Sequence, residues 1–469
     1  MSKGQYDFGM IGLGVMGRNF ILNVADSGYS AIGLDTSKDK AQALNEESEG
    51  KNAEGTTNIK TFVSSLKSPR KIMLLVPAGK VVDIVIEDLL KHVDEGDLII
   101  DGGNSFYMDT DRRMDYLKKK KISFLGMGVS GGAKGARFGP SIMPGGTKAA
   151  FNKVKKILEA VSAQVNGEPC VAYMGKGSAG NYVKMVHNGI EYAMMQLLAE
   201  SYDILKTIGK LNNQELREAY TKYNKGKLKS FLVEITAAIF SQQDELSKSM
   251  LIDKILDKAK QKGTGKWTSQ NAMDFGIPVP TIDAAVTMRG LSSLKSERVA
   301  ASKILKVSNT KFKIDKKELV KQVGDALFFS FITVYAQGMA LLADASKEKK
   351  YGLDLEATAR IWRGGCIIRA KLLEDIRQAY SNNPILSNLM VDPQFAKYLK
   401  SGNKAMRSVV KQSIDAGVPT MAFSSALAYF DAYRDDRLPL NLTQAQRDHF
   451  GSHTYERVDK DGTFHTEWN

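Results

Sequence analysis

The sequence predicts an α/β protein with a doubly wound, mostly parallel sheet in its first part, a large all-α second part and a C-terminal tail. Short apolar runs alternate with helical patterns over the first 177 residues, which is typical of βαβ units. Beyond residue 178 the strand signals stop, and long helical patterns rich in Leu, Met and Ala follow. We therefore expect domains at 1–177 and 178–437, and a tail at 438–469.

Five apolar runs followed by turn residues are the expected strands, at Phe8–Ile11, Ala31–Leu34, Ile72–Val76, Leu98–Ile100 and Ile122–Leu125. The last run leads into a glycine-dense segment, 126–146. Long helices are expected at Ala179–Ile208, Asn212–Ser241 and Lys316–Ala345. The tail has an irregular, polar pattern, but its aromatic residues indicate that it packs against something.

Composition and charge narrow the class of protein. Lys and Arg exceed Asp and Glu by 66 − 52 = 14, and the basic residues are spread along the chain. This favours a phosphorylated or carboxylated substrate over nucleic acid. Cys170 and Cys366 are too few for a disulfide framework or a cysteine metal site, so a reducing cytoplasm is expected. Residues 1–6 lack the apolar core of a secretory signal, and no apolar run is long enough to span a membrane, so no membrane partner is expected.

A glycine loop follows the first expected strand, and its three glycines are Gly12, Gly14 and Gly17. In a Rossmann-type domain, one glycine forms the tight turn, one lets the backbone approach a pyrophosphate, and one lets the helix pack on the strand. The free N–H groups at the helix N-terminus then bind the phosphates. Asp35 follows the second strand, where a carboxylate can bind the ribose hydroxyls of NAD. A glycine turn needed only for packing would leave Asp35 unexplained.

A second candidate site lies on the expected helix that begins at Ala179. Lys184, His187, Asn188 and Glu191 are spaced i, i+3, i+4 and i+7, so they share one face of a helix whose flanks are apolar. A solvated face with a Lys–Glu pair is the alternative, but His and Asn are unusual there. Lysine and glutamate could act as base and acid if burial tunes their pKa values.

Five segments together resemble decarboxylating 6-phosphogluconate dehydrogenases: 100–105, 128–146, 184–191, 262–267 and 447–453. The resemblance extends almost from end to end, with the motifs in the same order. It implies oxidation of 6-phosphogluconate at C3, then loss of CO2 to give ribulose 5-phosphate, in the oxidative pentose phosphate pathway and without a metal. Lys184 would be the base that takes the 3-hydroxyl proton, and Glu191 the acid that protonates C1 of the enediol.

The resemblance also implies the binding residues. Those matching positions around the substrate carboxylate and hydroxyls are Asn104, Ser130, Gly131, Gly132, His187 and Asn188. Those matching positions toward the phosphate are Tyr192, Lys262, Thr264 and Arg289. Arg447 and His453 match tail residues that the family donates from a second subunit, which implies a homodimer with tail exchange. The implied cofactor contacts are Gly12, Gly14, Val15, Met16, Gly17, Asp35, Thr36, Ser37, Val76 and Asn104.

The chain departs from the family pattern after the second strand. The family usually has Asn-Arg-Thr there, and its arginine binds the 2′-phosphate of NADP, whereas this chain has Asp35-Thr36-Ser37. Asp35 would repel a 2′-phosphate, while Lys38 and Lys40 could compensate in part. We therefore expect NAD use or dual specificity, against the family default of NADP. Pro77 replaces a lysine common in the family, and Gly14 replaces an alanine, which should have no effect.

Two other functions remain open at this point. The first is a related β-hydroxyacid dehydrogenase that acts on another acid; Lys262, Arg289 and Arg447 argue against it, since a substrate without phosphate would not need them. The second is a dinucleotide-binding regulator or a nucleic-acid binder without catalysis, and the Lys184 and Glu191 pair argues against it.

Overall fold

A seven-stranded sheet organises the first part of the chain. The computed structural model describes residues 5–307 and 314–468. The strands are β1 Phe8–Ile11, β2 Ala31–Leu34, β3 Ala53–Thr56, β4 Lys71–Leu74, β5 Leu98–Asp101, β6 Ser123–Ser130 and β7 Ser141–Gly146. Residues 1–4, part of the segment from which the absence of a secretory signal is predicted, lie outside the described residues.

The strand order is β3-β2-β1-β4-β5-β6-β7, and every pair is parallel except β6 with β7. The direction in which strands are added reverses at β1. The chain adds β2 and β3 on one side of β1 and then crosses over to add β4 on its other side. Such a switch point is where doubly wound sheets bind ligands, outside the carboxyl ends of the strands. The helices that cover the sheet are α1 Val15–Asp26, α2 Lys38–Glu47, α3 Ile59–Ser64, α4 Lys80–Leu89, α5 Tyr107–Lys119, α6 Gly132–Phe138 and α7 Lys148–Val161.

Two strands of this sheet were not predicted. β3 is short and contains Glu54 and Gly55, so it lacks the apolar run of a buried strand. β7 lies within the glycine-dense segment, and its SIMPGG sequence reads as a turn. Gly145 is required because a Cβ there would overlap the backbone of Ala179 and Gly180, which start the first helix of the second part. A small two-stranded hairpin, β8 Gln164–Val165 with β9 Glu168–Pro169, then leads out of the sheet.

The second part is helical and is built around two long helices, α8 Ala179–Thr207 and α14 Lys316–Glu348. The others are α9 Asn213–Lys225, α10 Phe231–Ile239, α11 Thr264–Asp274, α12 Pro280–Ser293, α13 Lys295–Ile304, α15 Leu355–Trp362, α16 Leu372–Asn382, α17 Pro393–Asp415 and α18 Met421–Tyr433. One core cluster of buried side chains runs through these helices. The predicted fold class, a Rossmann-type sheet followed by a large helical part, is confirmed.

Three of the predicted elements differ from the structure. The strand expected at Ile122–Leu125 is β6, which continues into the glycine-dense segment as far as Ser130. The helix expected at Asn212–Ser241 is interrupted between α9 and α10, because Gly226 and the N-cap Ser230 end one helix and start the next. The tail is not irregular: it forms α19 Leu440–Gly451 and a hairpin of β10 Tyr455–Glu456 with β11 Thr463–Phe464.

One helix, α14, is apolar and long enough to cross a membrane, but 89% of its most apolar window is buried inside the protein. The statement from sequence that no run reaches this length is therefore wrong. A buried core helix passes the same test, so α14 gives no support to a membrane span.

Candidate active site

The glycine loop joins β1 to α1, and each glycine has a separate steric reason. Gly12 has φ +96°, and a Cβ there would lie 2.5 Å from the carbonyl oxygen of Leu75. A Cβ at Gly17 would overlap the carbonyl oxygen of Gly12. Gly14 faces open space and caps α1 without any side-chain hydrogen bond, so the first N–H groups of that helix are free for a ligand.

Asp35 has a structural role that the sequence did not reveal. Its carboxylate accepts hydrogen bonds from the backbone N–H groups of Leu13 at 2.8 Å and Ser37 at 3.0 Å. Asp35 thereby joins the glycine loop to the turn after β2. These hydrogen bonds give Asp35 a structural reason that does not depend on a bound dinucleotide. Each oxygen keeps a lone pair for a ribose hydroxyl. The ammonium of Lys40 lies 3.5 Å from the Asp35 carboxylate and offsets part of its charge. The next residue, Thr36, is exposed.

Val76 and Asn104 lie in the loops after β4 and β5, at the same edge of the sheet as the glycine loop. Asn104 is exposed between Gly103 and Ser105. The side-chain amide of Asn181, on α8, donates to the carbonyl oxygen of Gly103 at 3.3 Å. The helix with the polar stripe is therefore joined directly to this edge.

Glycines allow α8 to approach the sheet closely enough to bring its polar stripe to the end of β6. A Cβ at Gly128 would overlap the Cβ of Lys184, and a Cβ at Gly180 would overlap the carbonyl oxygens of Gly126 and Met143. β6 then ends at Ser130, and Gly131 and Gly132 have φ values of +128° and +63° in the turn to α6. The SGG sequence is therefore required by the backbone of this turn.

Three of the four residues of the polar stripe are buried and Glu191 is 20% exposed, which excludes a solvated face. Lys184 is 6% exposed, His187 0% and Asn188 8%. Asn188 donates its amide N–H to Thr264 at 3.1 Å, so its Oδ1 is free to accept from Nδ1 of His187 at 3.2 Å. A neutral His187 protonated on Nδ1 can then accept the hydroxyl proton of Ser130 at Nε2, over 3.3 Å.

Burial shifts the pKa values of three residues in the stripe. It lowers the pKa of Lys184 below its ordinary value, and the Glu191 carboxylate opposes this shift. Burial also raises the pKa of Glu191, against the opposing effects of Lys184 and Arg289. Burial and the lysine charge hold the pKa of His187 well below its usual range. Both shifts disfavour the charged form, which is the direction that suits a lysine acting as a base and a glutamate acting as an acid.

The residues expected toward the phosphate lie beside this stripe. The guanidinium of Arg289 stacks over the ring of Tyr192, 4.4 Å from its centroid, and donates to the carbonyl oxygen of Lys260 at 2.7 Å. Thr264 starts α11, directly after Gly263 in the left-handed region. Lys262 is exposed, two residues before Thr264.

The tail does not reach this site within the same chain. Arg447 and His453 are exposed, and the side-chain hydrogen bonds and ion pairs found for the described residues 438–468 all stay within the tail. Asp448 is its organising residue. It is fully buried and accepts hydrogen bonds from Thr454, His465, Thr466 and Trp468.

Several residues that support the stripe were not predicted from the sequence. Trp362 is fully buried and packs edge-on against His187, with ring centroids 5.5 Å apart. The carbonyl oxygen of Gly365 accepts from Ser141 at 2.9 Å and lies against Gly131. The Gly364-Gly365 pair signals a turn, but nothing local links it to residues so distant in the chain. Over the described ranges, no cluster of three or more His, Cys, Asp or Glu could hold a metal ion.

Comparisons with known proteins agree along the whole chain. A family model for the NAD binding domain of 6-phosphogluconate dehydrogenase matches residues 7–175, and one for the 6-phosphogluconate dehydrogenase C-terminal domain matches 180–468. The "6-phosphogluconate dehydrogenase, NADP(+)-dependent, decarboxylating" of Bacillus subtilis is 52% identical over 100% of both chains. The "6-phosphogluconate dehydrogenase, decarboxylating 1" of Spinacia oleracea is 49% identical over 98% of this chain and 97% of its own.

A solved structure is also closely similar. It is that of the Plasmodium falciparum 6-phosphogluconate dehydrogenase, known in its apo form, with its cofactor NADP+ and with its substrate 6-phosphogluconate. It superimposes with a TM-score of 0.95 at 45% identity, over 98% of this chain and 100% of that one. With two family models covering both parts of the chain and relatives about half identical over its full length, this protein belongs to the decarboxylating 6-phosphogluconate dehydrogenase family.

Proposed function

We propose that this protein oxidises 6-phospho-D-gluconate to D-ribulose 5-phosphate and CO2, with reduction of a nicotinamide dinucleotide, in the oxidative pentose phosphate pathway. The observation that carries the proposal is the polar stripe of α8, in which Lys184 and His187 are buried and the half-buried Glu191 lies on the same helix face. Similar proteins carry this activity in their names, and 6-phosphogluconate is the substrate of the similar Plasmodium falciparum enzyme.

The proposed chemistry uses the two groups in turn. Neutral Lys184 takes the proton of the substrate 3-hydroxyl as C3 gives up its hydride, for which a nicotinamide held at the glycine loop would be the acceptor. The lysine ammonium then hydrogen-bonds the 3-keto oxygen and stabilises the enolate that forms as C1 leaves as CO2. Glu191 gives its proton to the carbon that becomes C1 of the product. Burial supports both roles, because it disfavours the charged form of each group before the substrate binds.

The substrate contacts follow from charge and position. Ser130, His187 and Asn188 present polar groups around the lysine, and with Asn104, Gly131 and Gly132 they are proposed to bind the carboxylate and hydroxyls. Arg289 offers a guanidinium beside Glu191 for the phosphate. Tyr192, Thr264 and the more exposed Lys262 are proposed to complete that end.

The cofactor is proposed to bind at the carboxyl edge of the sheet. The free N–H groups at the start of α1 fit a pyrophosphate, because Gly14 leaves open space in front of them. We propose that Val15, Met16, Thr36, Ser37, Val76 and Asn104 contact the cofactor, because they lie at the start of α1 or in the loops after β2, β4 and β5. Similar enzymes are named for NADP+. Here Asp35 favours NAD, and its ion pair with Lys40 reduces repulsion of a 2′-phosphate, so we propose dual use.

We further propose a cytoplasmic homodimer in which the tail of each subunit supplies Arg447 and His453 to the other. The tail forms a unit of its own around Asp448 and leaves Leu442 and Phe450 63% and 72% exposed. These side chains need a partner surface, and no hydrogen bond was found from the tail to the rest of the described chain. We also propose the division into domains 1–177 and 178–437 and a tail 438–469, because the sheet, the long helices and the unit around Asp448 follow one another along the chain.

The experiment is an absorbance assay at the reduced-nicotinamide band, with 6-phosphogluconate and each cofactor in turn. We expect turnover with both cofactors, and a fall of at least about 100-fold in kcat for Lys184→Ala, since a positioned base contributes roughly that much. Lys206→Ala is the control, because Lys206 lies on the same helix but is 45% exposed and pairs with Asp253. No turnover by the unmodified protein, or full turnover by Lys184→Ala, would exclude the proposal.

A further inference from the structure

One fully buried arginine joins the two loops that frame the carboxyl edge of the sheet. Arg113, on α5, is 1% exposed. Its Nε donates to Asp83 on α4 at 2.8 Å, and its Nη2 donates to the carbonyl oxygen of Gly79 at 2.9 Å. Its Nη1 lies 3.4 Å from both the Asp101 carboxylate and the Ser105 hydroxyl.

These partners belong to different loops. Gly79 ends the loop after β4, has φ +90° and caps α4 without a side-chain hydrogen bond. Val76, a proposed cofactor contact, is in the same loop, whose Leu75 borders Gly12. The second loop follows β5, and there Asp101 accepts hydrogen bonds from Gly103 at 3.1 Å and Ser105 at 2.6 Å. Asn104, proposed to contact both cofactor and substrate, lies between these two residues.

A planar guanidinium suits this position because its five N–H donors point in fixed directions. The two loops follow adjacent parallel strands, but no backbone hydrogen bond was found that joins the described residues 75–79 to 102–105. Arg113 supplies that connection and places a positive charge between two carboxylates. Lysine would keep the charge but could not donate in all these directions at once.

We infer that Arg113 is a positioning residue that fixes the distance between the loop of Val76 and the loop of Asn104, and so aligns the cofactor with the substrate carbon that gives up its hydride. The role rests on the proposed function, because it concerns the same hydride transfer. A small displacement of either loop would lower the rate by misaligning the reacting atoms.

The test compares Arg113→Lys with the unmodified protein by three measurements. The first is titration of the protein alone with reduced cofactor, followed by cofactor fluorescence. The second is the division of the effect between kcat and KM, and the third is the isotope effect on kcat with 6-phosphogluconate deuterated at C3. We expect the cofactor Kd to rise and kcat to fall, each on the order of tenfold, and the isotope effect to increase as hydride transfer becomes slower.

Arg112→Lys is the matched control, because Arg112 is the neighbouring residue and also binds Asp83 but is 56% exposed. It should leave all three measurements unchanged. Asp83→Asn is a second variant in case Arg113→Lys does not fold, since Asp83 is 34% exposed and its loss releases only the α4 side of the connection. It should change the same quantities by a smaller factor.

A purely structural role predicts a different result, namely a lower yield of active protein with unchanged Kd, KM and isotope effect. That pattern in Arg113→Lys, or in Asp83→Asn if the first variant does not fold, would overturn the inference. If the unmodified protein did not turn over 6-phosphogluconate, the proposed function would fail, and the cofactor titration would still decide whether Arg113 positions the cofactor loops.

Discussion

At the scale of single residues, the properties of Lys184 come from burial and from one opposing charge. Its ammonium would be surrounded by apolar and neutral groups, so burial lowers its pKa, and the carboxylate of Glu191 partly restores it. His187 lies between them, 3.4 Å from Lys184 and 3.7 Å from Glu191. A change of charge at one end of the stripe must therefore change the titration at the other.

Glu191→Gln should lower kcat, because it removes the proposed acid, and should move the acidic limb of the kcat/KM profile to lower pH. The carboxylate stabilises the lysine ammonium, so its loss lowers the pKa of Lys184 further, and the neutral base persists at lower pH. The measurement is kcat/KM for 6-phosphogluconate against pH, with Glu191→Asp as the variant that keeps the charge. A limb that moved to higher pH in Glu191→Gln would contradict the assignment of this limb to Lys184.

Thr36→Arg should improve the use of NADP. Thr36 is exposed at the end of β2, and a guanidinium there could bind a 2′-phosphate through two hydrogen bonds. A charged hydrogen bond contributes about 1.5–3 kcal/mol, so kcat/KM for NADP should rise roughly tenfold or more while that for NAD changes little. Thr36→Met is the control without charge. An equal change for both cofactors would mean that residue 36 does not face the adenosine ribose.

At the scale of elements, close contact between α8 and the sheet decides where the polar stripe lies. The contact depends on glycines whose replacement would push the helix away, since Gly128 lies against Lys184 and Gly180 against the backbone of β6 and β7. Glycine in these elements has an unfavourable conformational entropy, but the packing requires it.

Gly128→Ala should reduce both stability and activity. The added methyl group would overlap the Cβ of Lys184, and such overpacking typically costs about 1–3 kcal/mol. The helix can relieve the clash only by moving Lys184, so kcat should fall more than the folded fraction does. Thermal unfolding and kcat are the measurements. Gly290→Ala, in α12 with no atom within 4 Å of the new Cβ, should retain stability or gain up to about 1 kcal/mol.

The contact between α8 and α18 makes the stability of the protein depend on pH. Glu200 of α8 is 3% exposed and accepts hydrogen bonds from the first N–H groups of α18, those of Ala422 and Phe423. Burial, opposed by these hydrogen bonds, raises the pKa of Glu200 from 4.5 to about 7. The folded state therefore holds a proton between these pH values that the unfolded state has lost, and stability must fall as pH rises through this window.

Glu200→Gln should remove this part of the pH dependence. A shift from 4.5 to about 7 corresponds to about 3 kcal/mol, so the free energy of unfolding of the unmodified protein should fall by about that amount relative to Glu200→Gln between pH 4.5 and about 7. Denaturant unfolding at several pH values measures the difference. Parallel curves for the two proteins would show that Glu200 titrates normally.

At the scale of the whole molecule, the single chain leaves apolar surface uncovered. The helix α13 has no buried residue, and Val299, Ile304 and Leu305 are 44%, 79% and 73% exposed. The tail exposes Leu442 and Phe450 as well. Clusters of exposed apolar side chains often mark protein interfaces, which supports the proposed dimer.

Mixing two inactive variants should restore activity if the tails are exchanged. In a heterodimer of Lys184→Ala with Arg447→Ala, one of the two sites combines an intact lysine with an intact tail from the other subunit. Random reassortment makes about half of the dimers mixed, so about a quarter of full activity should return. The assay is turnover after the subunits are dissociated and reassociated together. No recovery, with confirmed reassortment, would mean that Arg447 serves its own subunit or none.

The sequence by itself determined the fold class and the positions of both candidate sites. The spacing of Gly12, Gly14 and Gly17 is local to one strand-turn-helix unit, and the stripe from Lys184 to Glu191 is local to one helix. Local patterns follow from backbone geometry and helical period, so they can be recognised in the sequence without knowledge of the tertiary structure. The same is true of the long core helices α8 and α14.

Only the tertiary structure decided what these local patterns contact. It showed that the stripe is buried against Ser130, Thr264 and Trp362, that Asp35 ties two loops together, and that Arg113 joins two others. It also showed that β7 pairs with β6 and that the tail forms a helix and a hairpin. These contacts join residues far apart in sequence, and burial, pKa and steric fit depend on neighbours that local patterns do not specify.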